Sequence, residues 1–424
     1  MRSNFKRIGD YVQQANARND GLIVTNLQGV SINKQFMPSV ANVNGTDLST
    51  YKVVAKEQFA FNPMHVGRDE VLPIAMLDTD EPVIVSPAYV VFEIIDKQAL
   101  MPEYLMMWCR RPEFDRNAWF TTDSSVRGSF SWDDFCEMTL PVPSPEKQRE
   151  IVKEYHTIVD RIKLNDQLNR KLEETAQAIY KQWFVDFEFP ISAEDAVAIG
   201  KQDLEGQPYK SSGGEMVYNE VLKQEIPRRW GIEELQNLAK IKGGKRLPAG
   251  EQLISQPTPH PYIKVADMGN SKFVCLNNKF EYLTIETQKK ICRYIVNTGD
   301  LIISIVGTIG TVNIVDKSLA GANLTENCAK ISGIKKITSD YLYHYLYSKN
   351  GREEIEMRTV GGVQGKLPLY NIGALKILVP DEALISIFST ILKPLSKSLS
   401  AITNEIGYLS ELLNILLARI SRVQ

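Results

Sequence analysis

The stretches SPEKQREIVKEYHTIVDRIKLNDQLNRKLEETAQAIYKQWF (144–184) and DEALISIFSTILKPLSKSLSAITNEIGYLSELLNILLARI (381–420) begin 237 residues apart and decide how the chain is built. In the second, Phe388, Leu392, Leu395, Leu399, Ile402, Ile406, Leu409, Leu413, Leu416 and Ile420 follow at alternating spacings of four and three. All are apolar. This is the pattern of a coiled-coil seam, because side chains repeating every ~3.5 residues stay on one face of a slightly underwound helix. The same phase in the first stretch gives Ile151, Tyr155, Ile158, Ile162, Asn165, Asn169, Leu172, Ala176, Ile179 and Trp183. Ser144 and Asp381 stand where a helix N-cap is needed, and Pro145 takes the first helical position, where its missing N–H is not required. Asn165 and Asn169 fall where the second copy has Ile402 and Ile406. Polar groups in a seam lower stability and fix register and partner. Pro394 has no counterpart and predicts a break, either the end of a short helix or the start of the long one.

The shift extends upstream. Residues 104–143 align without a gap on 341–380: YLMMWCRRPEF on YLYHYLYSKNG, SSVRG on GGVQG, and MTLPVP on LKILVP. Tyr104, Leu105, Val126, Gly128, Val142 and Pro143 are identical to their partners. The runs VVAKEQFAF (53–61), EPVIVSPAYVVFEII (81–95), GDLIISIVG (299–307), GTVNIVD (310–316) and ENCAKISGI (326–334) are β-branched and bounded by turn residues, so they read as strands. Helices begin near Met101 and Ser339. The expected fold is α+β: two strand-rich globular domains, each followed by a long helix, with the two helices packing as an antiparallel coiled coil. The expected boundaries are 1–143, central helix 144–190, linker 191–226, 227–380, and distal helix 381–424. The linker rests on GQPYKSSGG (206–214), a polar Gly/Ser-rich run.

The search for catalytic chemistry is negative. GGVQGKLPLYNIGALKILVP (361–380) starts like a phosphate loop, but Leu367 follows Gly365-Lys366 and Val360 stands where the first glycine is required. Asn62-Pro63-Met64-His65 echoes an adenine-methyltransferase loop but lacks the second proline and the aromatic, and reads as a turn. Asp78, Asp80 and Glu81 read as a solvated loop. The five cysteines are scattered singly, which indicates neither a zinc site nor a disulfide framework, and with only four histidines no metal site is expected. MRSNFKRIGD is not a signal peptide, and the apolar run 301–315 is too short and too interrupted to cross a bilayer. A reducing cytoplasm is the expected location.

Charge is unevenly divided. Residues 231–376 hold 19 basic and 13 acidic side chains, net +6, whereas residues 1–142 hold 13 basic and 18 acidic, net −5. The second domain thus suits a phosphate backbone. Arg110, Arg111, Arg116 and Arg127 fall close together, beside Trp119 and Phe120. Lys242, Lys245 and Arg246 flank Gly243-Gly244, read as a turn where backbone approaches DNA closely.

The whole pattern resembles the DNA-sequence-specificity subunit of type I restriction–modification enzymes. It is carried by ETAQAIYKQWFVDFEFP (174–190), VSPAYVVFEI (85–94), YKSSGGEMV (209–217), IPRRWGIEELQNLAKIKGG (226–244) and the helix starts after LPVP and ILVP. Each is weak alone; their order is specific. The resemblance implies two target-recognition domains, each reading half of a split DNA site. It implies long helices that act as a spacer and dock two methyltransferase (modification) subunits, with restriction subunits joining that core. No cofactor is expected on this chain; S-adenosylmethionine, ATP and magnesium are expected in the partners. No membrane partner is expected, and the biological setting would be phage defence. The chain departs from the family at Pro394 and in ending four residues after Ile420. The helix from Ile151 to Trp183, about 50 Å long, would fix the unread gap between half-sites at about one duplex turn or more. Candidate DNA contacts are Arg68, Arg110, Arg111, Arg116 and Arg127 in the first domain, and Lys242, Lys245, Arg246, Lys272, Arg293, Gln364 and Lys366 in the second. Three alternatives remain open at this point. They are a fused methyltransferase or nuclease, a helical adaptor, and the specificity chain of a related system with a fused nuclease–methyltransferase partner.

Overall fold

The computed structural model describes residues 5–39, 45–64, 70–122, 129–200, 202–269, 271–362 and 365–422, without the side chains of 198 and 199. It has a mixed α/β fold in two compact units: Met1–Arg161 with Ser410–Gln424, and Ile162–Leu409.

In unit one, the strands Val12–Gln14, Val90–Ile94, Phe59–Phe61 and Ile74–Met76 lie in that order as an antiparallel sheet. The expected strands form because alternate residues of these β-branched and aromatic runs bury on one face. Helices Pro102–Cys109 and Pro112–Thr121 each start on a proline, and Trp132–Glu137 starts on a Ser131–Asp134 capping box. Phe59, Phe61, Phe92, Tyr104, Phe114 and Phe135 form the core, together with Ile151, Val152 and Tyr155 from the central helix and Leu417 and Ile420 from the distal one. Lys34, at the tip of the hairpin Gln28–Val30/Phe36–Pro38, is buried in the left-handed backbone region with φ 60°. Its ammonium donates to Asp115 at 2.7 Å and to the Cys109 carbonyl. Burial pushes the Lys34 ammonium down and the Asp115 carboxyl up, so desolvation outweighs their attraction.

In unit two, Lys240–Gly243, Cys328–Ser332, Leu301–Ser304, Val312–Val315 and Phe273–Val274 form a five-stranded sheet in that order, with only the last pairing parallel. A smaller sheet holds Glu281–Tyr282, Pro261–Ile263 and Asn323–Leu324. Helices Ser339–Tyr347, Lys349–Met357 and Leu369–Gly373 each begin 237 residues after a helix of unit one, and strand Lys376–Val379 stands at the same shift from Thr139–Pro141. Individual bonds keep that shift. The Tyr104 hydroxyl donates to the Pro141 carbonyl at 3.1 Å, and the Tyr341 hydroxyl to the Leu378 carbonyl at 2.7 Å. The carbonyls of Met138 and Leu375, also 237 apart, accept from the Ile8 amide at 2.8 Å and the Leu235 amide at 3.0 Å, donors that are themselves 227 apart.

The long helices are Pro145–Phe184 and Glu382–Ile420. All twenty seam positions are buried or half-buried, Ala176 and the two asparagines among them. In unit two the rings of Trp183 and Phe184 lie 5.9 and 4.9 Å from that of Phe388. Pro394 breaks nothing: the distal helix runs through it, correcting the expected interruption. Pro394 and Thr390, whose carbonyl loses its helical donor, both lie on the exposed face of the helix, open to solvent. Buried Leu392 and half-buried Leu395 hold the two sides in line.

Residues 191–226 are not a linker. They fold into helix Ala193–Ile199 and hairpin Met216–Asn219/Gln224–Pro227, and they bury Ile191, Ala196, Tyr209 and Ile226 in the unit-two core. Tyr209 stacks on Phe189 at 4.5 Å, and Phe189 on Trp230 at 5.0 Å. Gly214 serves this packing: a Cβ there would lie 2.3 Å from the Tyr209 ring.

His344 is buried (1% exposed). Its Nδ1–H donates to Gln177 Oε1 at 2.9 Å, Gln177 Nε2 donates back to the His344 carbonyl at 3.3 Å, and Nε2 of the ring has no partner among the described residues. Burial holds the imidazole well below its ordinary pKa, with the Lys272 charge adding to the effect. The unfolded chain therefore binds a proton that the folded chain refuses. This contribution is fully present above pH ~6.5 and is lost below it, by at most ~1.4 kcal/mol per pH unit. The urea midpoint is expected to fall between pH 7.5 and 5.5 more steeply in the wild type than in His344→Gln; equal falls would refute it.

Candidate nucleic-acid interface

The first two strands of the unit-two sheet open onto a cleft of about 410 Å³. Lys242, Arg293 and Lys330 supply its charge, Tyr294 an aromatic face, and Gly243 and Gly244 part of its floor. Lys242 stands directly opposite Lys330 in the ladder. Lys330 is half-buried, donating to the Ile295 carbonyl at 2.5 Å and lying 3.8 Å from Asp300. Lys245 Nζ lies 5.8 Å from the Tyr294 ring centre. Arg246 pairs with Glu326 at 2.7 Å, which raises the guanidinium pKa further. Lys242, Lys245 and Arg293 are exposed and form no ion pair among the described residues. A concave basic surface beside an exposed ring suits a phosphodiester chain, since cations hold phosphate and rings stack on bases.

Sequence reasoning brought Lys242, Lys245, Arg246 and Arg293 to this one region but misread the glycine pair. Gly243 closes a strand rather than forming a turn. A Cβ on Gly244 would lie 2.0 Å from the Thr325 carbonyl oxygen, so glycine is needed for close approach within the protein. Lys366 is exposed on a short backbone pairing with Val360. Lys272 is 1% exposed and committed to Asp340 at 2.5 Å, which removes it from any surface.

In unit one, Arg111 is buried with its guanidinium 4.2 Å from the Trp108 ring centre, and it pairs with Glu113 at 3.3 Å. Arg110 donates to the Tyr155 hydroxyl. Both fasten helices together; burial removes Arg111 from the surface, while Arg110 is half-buried. Arg116 is exposed beside exposed Trp119 and Phe120 on one helix. Arg68, Arg127 and Gln364 lie outside the described residues.

Lys330 and Tyr294 were missed, as were Gln13, Gln58 and Glu93 of unit one. Gln13 Nε2 and Gln58 Nε2 each donate to Glu93 at 2.9 Å, and these bonds, Gln58 first, lower the carboxyl pKa. The one sequence signal was charge inside a strand run, Glu93 in VVFEI and Lys330 in CAKIS. Asn62 accepts from the Met64 amide at 3.0 Å, the turn expected there. Among the described residues no group of acids, histidines and cysteines could hold a metal, and no helix is long and apolar enough to cross a membrane.

Residues 227–408 match the family model of the type I restriction modification DNA specificity domain. Over 97% of its length the chain is 24% identical to the type I restriction enzyme HindI specificity subunit of Haemophilus influenzae, covering 97% of that protein. Over 77% of its length it is 22% identical to the type I restriction enzyme MjaIX specificity subunit of Methanocaldococcus jannaschii, covering 70% of that protein. The S subunit of a type I restriction-modification system from M. genitalium shares the fold: TM-score 0.52 at 14% identity, over 99% of this chain and 96% of that one. The resemblance read from the sequence is thus matched by these comparisons: the chain is similar over nearly its whole length to a DNA-specificity subunit of a type I restriction enzyme.

Proposed function

We propose that the chain is the non-catalytic specificity subunit of a type I restriction–modification complex, each unit reading one half of a bipartite DNA target. The observation that carries this is the recurrence, at one shift of 237, of helix starts, a closing strand and a tyrosine-to-carbonyl bond in both units. A chain that makes the same reader twice suits a target read in two halves. The basic cleft of unit two supplies affinity through phosphates, and polar side chains at base edges supply sequence choice. The kinship to named type I subunits favours this over a fused enzyme or a related system.

In this reading the chain is a tandem repeat whose long helices pair as an antiparallel coiled coil. Support comes from cores in which the start of one helix meets the end of the other: Tyr155 with Leu417 and Ile420 in unit one, Trp183 with Phe388 in unit two. The helices set the gap between half-sites and dock two methyltransferase subunits. S-adenosylmethionine, ATP and magnesium belong to the methyltransferase and restriction partners, in the cytoplasm. Sequencing the methylated sites of a host with and without the gene tests this. A motif of two specific halves with a fixed gap should vanish on deletion; an unchanged methylome overturns it. Removing one heptad from each helix is expected to shorten that gap, and an unchanged gap counts against the spacer role.

A further inference from the structure

The two sheets carry a polar row at the same register, with its chemistry inverted. In unit one, Gln13 stands opposite Glu93 and Val12 opposite Ile94. In unit two, Lys242 stands opposite Lys330 and Ile241 opposite Ile331. Lys330 and Ile331 lie 237 residues after Glu93 and Ile94, the shift that relates the helix starts. Gln58, bonded to Glu93, extends the first row. Gln13 and Lys242 are exposed, while Gln58, Glu93 and Lys330 are half-buried.

Folding accounts for Lys330, which donates to the Ile295 carbonyl and lies 3.8 Å from Asp300, but not for the exposed Lys242 facing it. Like charges directly opposite on an antiparallel pair repel, and Lys242 has no ion-pair partner among the described residues to offset this. Glu93 is half-buried on the strand face that also carries Val91 and Ala60 of a smaller core, where its two bonds go to glutamine amides rather than to a cation. What the rows do offer is opposite hydrogen-bonding capacity. The lysines only donate. The Gln–Glu–Gln row accepts through the carboxylate and both donates and accepts through the amides.

We propose that this row is a specificity-determining position in each unit, an inference that rests on the DNA-specificity reading above. The Lys242/Lys330 row selects an acceptor-rich base edge, as guanine presents with O6 and N7. The Gln13/Glu93/Gln58 row selects an edge bearing an amino donor, as adenine or cytosine does.

The test uses the complete complex of this chain with its methyltransferase partners, methylating a library of random duplex DNA. Lys242→Gln is expected to change the base preference about tenfold at one position of one half-site and leave the other half alone. Gln13→Lys is expected to do the same in the other half only. Lys242→Arg, which keeps the charge and the donors, is expected to keep the wild-type preference. If Lys242→Gln leaves every base preference unaltered and only weakens binding uniformly, with the salt slope reduced by about one, the lysine is a phosphate contact and the proposal is overturned. It is equally overturned if Lys242→Arg alters preference as much as Lys242→Gln. A wild-type complex that methylates no bipartite motif overturns the functional reading itself, a result distinct from either.

Discussion

Lys272→Ala is expected to destabilise unit two by about 3–5 kcal/mol, the range for breaking a buried charge pair from one side. The ammonium is 1% exposed, lies 2.5 Å from Asp340 and donates to the Ser396 hydroxyl at 2.8 Å. Its backbone amide donates to Glu173 at 2.6 Å. One residue thus joins a short strand to the first turn of helix Ser339–Tyr347 and to both long helices within the unit. The rings of Tyr343 and Phe273 lie 5.5 and 5.7 Å from Nζ. Alanine takes the cation from Asp340, which keeps the Ser396 hydroxyl at 3.2 Å, and removes the stem that fills the space between the elements. Lys272→Met with Asp340→Asn keeps the volume and removes both charges, so it should recover most of the loss. Urea midpoints of the three proteins decide it; a loss under about 1 kcal/mol for the alanine variant would show the pair to be as inconsequential as a surface one.

Lys272 also shows where reading the sequence stops. Phase, caps and turn residues are local signals, so the long helices, the strand runs at 53–61 and 299–334 and the shift of 237 were legible. Burial of a charge is not local. Nothing near Lys272 announces Asp340 or Ser396, 68 and 124 residues away. Arg110 and Arg111 look like a basic patch until Tyr155 and Trp108 claim them. The polar run 191–226 read as a linker because its Gly/Ser content resembles one, yet its Gly214 lets the backbone pass the ring of Tyr209. The candidate interface was half legible for the same reason. Lys242, Lys245 and Arg293 carry charge that the sequence displays, but facing Lys242 with Lys330 requires a ladder between strands nearly ninety residues apart.

Asn165→Leu and Asn169→Leu are expected to shift stability the other way, each raising it by about 1–2 kcal/mol. The side chains are 2% and 7% exposed, and Asn165 Nδ2 and Asn169 Oδ1 have no partner among the described residues. A buried polar atom left unpaired costs about 1–3 kcal/mol, which an apolar side chain of fitting shape does not incur. Asn169 retains one long bond, Nδ2 to the Thr403 hydroxyl at 3.4 Å. Its loss leaves Thr403 satisfied, because that hydroxyl donates to the Leu399 carbonyl at 2.8 Å. Asn165→Leu should therefore gain at least as much as Asn169→Leu, and a lower urea midpoint for it would refute the account. The second copy carries Ile402 and Ile406 at these positions, so an apolar seam is compatible with the helix itself. What the asparagines supply is discrimination. With them the central helix has a partner that places Thr403 opposite Asn169; without them its seam resembles that of the distal helix, and any apolar seam becomes an acceptable mate. The double leucine variant is thus expected to be more stable and less selective, appearing partly as dimers on gel filtration, whereas a strictly monomeric double variant would place the choice of partner elsewhere in the seam.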